Sequence, residues 1–71
     1  MDDARDWLRT ALEAGQLSGD AVAEACALRA LGEIAANETM RKALLVQSVA
    51  AFERAGDELG ALEVRAMLED S

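Results

Sequence analysis

Apolar side chains recur along this chain at helical spacing, and glycines or short polar runs interrupt them at three places. Trp7, Leu8, Ala11 and Leu12 form the first stripe. They predict a helix over about residues 2–15, opened by the negative charge of Asp2 or Asp3 and ended at Gly15. Ser18 or Asp20 can cap a second helix over about 19–36. Its residues Val22, Ala25, Cys26, Leu28, Leu31, Ile34 and Ala35 are apolar around most of the circumference. Such a helix is expected between two neighbours, with Cys26 as a buried, inert thiol. Asn37-Glu38-Thr39 reads as a turn hinged at Asn37, before a third helix over about 39–55. There Met40, Leu44 and Ala51 fall on one side, and Leu45, Val49 and Phe52 on another, so two neighbours are expected again. Gly56 stops this helix, and Asp57 caps a fourth over about 58–70 carrying Leu59, Leu62, Val64, Ala66, Met67 and Leu68. Connections this short make sequential helices antiparallel. The expectation is one all-α domain of four antiparallel helices.

Composition agrees: among 71 residues there are 16 alanines and 10 leucines, no proline, and two aromatic side chains, Trp7 and Phe52. The size changes the picture more. A chain this short buries only about 60% of the surface its unfolded form exposes, so it needs reinforcement. One cysteine cannot form an internal disulfide, and without histidine no zinc ligand set can be assembled. Close helix packing or self-association remains.

The chemistry is sparse. With no histidine there is no Ser-His or Cys-His pair and no histidine general base. Five dispersed glycines make no phosphate loop, and the acids at Asp2-Asp3, Asp57-Glu58 and Glu69-Asp70 lack calcium-loop spacing. No enzyme activity, cofactor or metal is expected. A net charge of −7 argues against nucleic acid and favours a basic partner. The acidic start MDDARD is unlike a signal peptide, and Glu24, Arg29 and Glu33 interrupt the most apolar stretch. A soluble cytoplasmic protein is the expectation, with no membrane partner.

The Gly-Asp pair at Gly19-Asp20 returns at Gly56-Asp57, a shift of 37 residues that also lays Leu31 on Leu68. A shift of 41 lays Gly15 on Gly56 and Gly19 on Gly60. In an alanine-rich helical chain such matches also arise by chance. The run ACALRALGEIAANETMRKALLVQSVAAFERAGDELGALEVRAML, about residues 25–68, resembles a degenerate tetratricopeptide repeat. It has the Leu31-Gly32 pair and the Gly56-Asp57 break, and AFERAGDELGALEVRAML is similar to the Gly-Asp variant common in bacterial regulatory proteins. The departures are Leu28 and Ala35 where large or aromatic residues are usual, the bulky Leu44, Ser48 near the usual phenylalanine, and Gly56 for proline. The resemblance implies a short stacked array with a close helix approach at Gly32. A simple four-helix bundle is the alternative fold.

Arg29, Glu33 and Asn37 form an i, i+4, i+8 polar stripe on an otherwise apolar helix. An ordinary solvated face would look the same. The resemblance maps these residues to a concave peptide-binding surface, with Glu63, Ala66 and Asp70 as their equivalents on the fourth helix. Repeat units cannot cover their own faces. Trp7, Leu8 and Leu12 at one end, and Leu62, Met67 and Leu68 at the other, are therefore expected to self-associate into a homodimer. The function expected is a non-catalytic protein–protein interaction module that binds a peptide or helix of a basic or amphipathic partner. The alternative is a small acidic inhibitor, antitoxin or nucleic-acid mimic that binds a basic protein.

Overall fold

The computed structural model of the protein describes residues 3–70, so the expected helix start at Asp2 lies outside the described residues. Four helices follow in order: α1 (Asp3–Ser18), α2 (Ala21–Glu33), α3 (Glu38–Ala55) and α4 (Glu58–Glu69). No strand occurs among the described residues. None of the described helices is long and apolar enough to cross a membrane.

Three side-chain caps begin the later helices. Asp20 accepts from the Ala23 N–H, Asn37 from the Met40 N–H, and Asp57 from the Gly60 N–H. Each satisfies a backbone donor that the first helical turn leaves unpaired. Asp20 takes this role rather than Ser18, whose hydroxyl donates to the Gly15 carbonyl within the end of α1. Asn37, expected as a hinge, is the cap of α3. Gly56 has φ +74°, the left-handed conformation that ends α3 and turns the chain directly into α4.

Two boundaries differ from the sequence expectation. α1 passes through Gly15 and ends at Ser18, where Gly19 with φ +72° supplies the left-handed turn. Gly15 is instead a contact residue, because a Cβ there would lie 2.9 Å from the Glu24 backbone nitrogen. The missing side chain lets α1 and α2 approach backbone to backbone. α2 stops at Glu33, short of Ala36, with Ile34 outside the helix at φ −103°, ψ 9°.

Packing follows chain order. α2 lies against α1 and α3, and α4 lies against α3. The contacts run antiparallel: Glu24 meets Arg54 while Gly32 meets Leu45, and Gly60 meets Phe52 while Met67 meets Arg41. The Cα envelope is a slab of 34 × 32 × 13 Å. The Cα cylinder of a single helix is about 4.6 Å across, so the four helices are staggered or tilted about the slab's mid-plane. A repeat array and a simple bundle share this arrangement of four helices packed in chain order.

The core is correspondingly narrow. Leu45, Val49, Ala51 and Phe52 of α3 cluster with Ala25 and Leu28 of α2 and with Ala61 and Val64 of α4. Leu44 is half-buried against this cluster, whereas Met40, expected on the same apolar side, is exposed. Ser48 is fully buried between α2 and α3, and its hydroxyl donates to the Ala25 carbonyl at 2.8 Å. Gly32 receives the Leu45 side chain, whose Cδ2 would stand 2.9 Å from an added Cβ. Cys26 overturns its expectation. It is exposed, because the buried sector of α2 runs through Ala25, Ala27, Leu28, Leu31 and Gly32 and leaves Cys26 on the opposite side.

Two outcomes follow. Gly15→Ala should lower the urea midpoint, although helix propensity alone would raise stability by about 1 kcal/mol. The reversal comes from overpacking at the Glu24 backbone, which typically costs about 1–3 kcal/mol. Cys26 should react fully with a thiol reagent such as DTNB in native buffer, whereas a buried thiol would need denaturant.

Candidate interaction surfaces

The polar stripe expected on α2 is assembled across helices. Arg29 pairs with Glu33 one turn along, at 3.5 Å, and reaches Glu63 of α4 at 3.3 Å. Antiparallel packing of both α2 and α4 on α3 brings these three side chains to one surface. Exposed Cys26 and half-buried Ala30 line a shallow depression with Arg29 and Glu33, giving this surface a mixed, partly apolar floor. Arg29 and Glu63 both remain open to water, so the link contributes at most about 1 kcal/mol. Two other expected members stand apart from the trio. Asn37 is committed to capping α3, and Asp70 is the C-cap of α4, exposed at the end of that helix.

Further ion pairs stitch the slab together. Arg54 of α3 meets Glu24 of α2 at 2.7 Å, and Arg65 of α4 pairs with Glu53 of α3. Arg41 pairs with Glu38 and donates to the Met67 carbonyl, one of the acceptors left open in the last turn of α4. Arg29, Arg41, Arg54 and Arg65 thus all engage carboxylates within the chain. Arg5, Arg9 and Lys42 have no ion-pair partner among the described residues.

The six apolar residues expected to cover a second copy divide into two groups. Trp7 is 71% exposed and Leu62 56% exposed, so both face outward. Leu12, Met67 and Leu68 are half-buried against the molecule's own core, and Leu8 is also half-buried. The uncovered faces are completed by two leucines outside that set, Leu17 on α1 and Leu59 on α4, which are 90% and 76% exposed. At 100° per residue, Trp7, Thr10, Ala14 and Leu17 line one outer stripe of α1, and all four are exposed. Leu59, Leu62 and Ala66 line the corresponding stripe of α4, again all exposed. Both stripes follow the i, i+3, i+7 spacing by which helices present a seam to a partner. This spacing is legible in the sequence. What hides it is the competing stripe on the same helix, since only packing decides which of two apolar faces turns inward.

A groove of about 210 Å³ lies where α1, α2 and α3 meet. Its floor is Leu31, Met40, Ala43 and Leu44, and Arg5 and Arg9 stand on its α1 wall. A second hollow, between α3 and α4, is lined by Glu53, Glu58, Leu62 and Arg65.

The cross-helix link can be measured directly. A double-mutant cycle on Arg29→Ala and Glu63→Ala should give a coupling energy of about 0.2–1 kcal/mol in urea denaturation, diminished by salt. Comparison of the chain with protein families, with characterised proteins and with solved structures gave no match, so the functional reading rests on its own residues.

Proposed function

We propose that this protein is a non-catalytic protein–protein interaction module that self-associates through the uncovered faces of its terminal helices. The observation that carries this reading is the pair of exposed apolar stripes, Trp7 with Leu17 on α1 and Leu59 with Leu62 on α4. Each interior helix is covered on two sides and each terminal helix on one. A slab of this kind leaves apolar area in water that a partner can bury at roughly 25 cal/mol per Å². Isolated apolar side chains are ordinary on a protein surface, but periodic stripes on both outermost helices are a property of the architecture. On this reading the protein works as a soluble cytoplasmic module of tetratricopeptide-like stacking, and the homodimer is its resting form.

Where the α4 face carries the self-association, the α1 stripe is left for a foreign partner. The α1 stripe is flanked by Asp3, Asp6 and Glu13, none of which has an ion-pair partner among the described residues. An apolar seam beside carboxylates suits a basic amphipathic peptide or helix. The Arg29–Glu33–Glu63 surface offers such a ligand a second, polar contact. A small acidic inhibitor of a basic protein is the alternative reading. It is favoured by the net charge of −7 and by the use of Arg29, Arg41, Arg54 and Arg65 in internal pairs.

Sedimentation equilibrium at tens of micromolar should return about twice the 7.5 kDa chain mass. Leu59→Glu with Leu62→Glu should shift the protein to monomer with unchanged helical circular dichroism, because neither side chain supports the core. A wild-type monomer under these conditions would rule out self-association. Arg29→Ala with Glu33→Ala should weaken capture of a basic partner while helicity is kept; equal capture would exclude that surface.

A further inference from the structure

We infer that the groove between α1, α2 and α3 is the receptor for α4 of a second copy, in a reciprocal twofold dimer. This rests on the self-association proposed above and names the surfaces that carry it. The groove offers an apolar floor and a basic wall in a protein that is otherwise acidic. Arg5 and Arg9 form that wall, and neither guanidinium has an ion-pair partner among the described residues. The fitting occupant is therefore an apolar helical ridge that carries unpaired carboxylates.

α4 presents that combination. Leu59, Leu62 and Ala66 form the ridge, and Glu69 and Asp70 follow it without ion-pair partners among the described residues. The lengths agree as well. The ridge from Leu59 to Ala66 and the α3 side of the groove from Met40 to Gln47 each span seven residue steps, about 10 Å. The outer stripe of α1 fits less well, because α1 itself forms the basic wall and its stripe includes the bulky Trp7. In a twofold dimer each copy contributes one groove and one ridge, so residue i meets residue j and j meets i. The contact is then made twice, and both basic walls are neutralised.

Charge reversal tests the pairing without unfolding either partner. Arg5→Glu with Arg9→Glu adds acids toward the N-terminal half of α1. Glu69→Lys with Asp70→Lys adds bases at the C-terminus of α4. Arg5→Glu, Glu69→Lys and Asp70→Lys lie in terminal turns where they complement the helix dipole, Arg9→Glu is on an exposed position, and circular dichroism checks that both folds hold. By sedimentation velocity, each variant alone should self-associate about tenfold or more weakly than wild type, and an equimolar mixture should recover a heterodimer near wild-type affinity. Recovery is expected because the mixture restores opposite charges at both contacts. Variants that dimerise like wild type, or a mixture that fails to recover, would overturn the groove–α4 pairing while leaving self-association standing. A wild-type protein that stays monomeric would remove both.

Discussion

Leu45, Val49 and Phe52 leave one side of α3 and meet Ala25 and Leu28 of α2 and Ala61 and Val64 of α4, and this shared burial is the constraint on which the molecule depends. A chain of 71 residues has a small core, and here its longest helix lies between two neighbours that share its burial. α1 is added mainly through α2, by the close backbone approach at Gly15 and by Leu12 packed against the shared core. The small residues at these seams serve distance. Ala25, Ala51 and Ala61 are all buried, and Ser48 fits between α2 and α3 with its hydroxyl satisfied by a helix carbonyl. Larger side chains there would push the helices apart and dilute the dispersion contacts of a core with few layers.

The same chain-order packing explains the surface. Each helix keeps a side that its neighbours leave open. Apolar side chains in excess of what the seams hold must therefore face water. Leu17, Leu59, Trp7, Val46 and Leu62 are the most exposed of that excess. The ion pairs Arg54–Glu24, Arg65–Glu53 and Arg29–Glu63 run between helices, where they fix relative position more than they add stability. They also draw basic side chains into internal contacts, so much of the open surface carries unpaired acid. Arg5 and Arg9, at a groove with an apolar floor and a basic wall, are the counterpoint on which specific recognition can rest.

Much of this could be read along the chain. The all-α class, the number of helices, the Asp57 cap and the Gly56 stop follow from local chemistry: a short carboxylate reaches the free N–H groups of a first turn, and glycine tolerates positive φ. The juxtaposition of Arg29 with Glu33 follows from the 3.6-residue period. The errors share a cause. Gly15 and Gly19 are both credible stops, and only the helix packed across Gly15 shows that a contact, not a turn, occupies it. Cys26 lies among apolar residues in sequence, yet the neighbouring helices cover the other side of α2.

The sequence by itself determined the helices and three of their caps, because those depend on interactions within a few residues. The tertiary structure alone decided which of two apolar stripes on α1 and α4 turned inward. It brought Glu63 to Arg29 across 34 residues, and made Arg5 and Arg9 the wall of a groove floored by α2 and α3. These outcomes depend on the rotation of each helix about its axis. That rotation is set by the summed burial and close approach of all the seams at once, and no single segment encodes it.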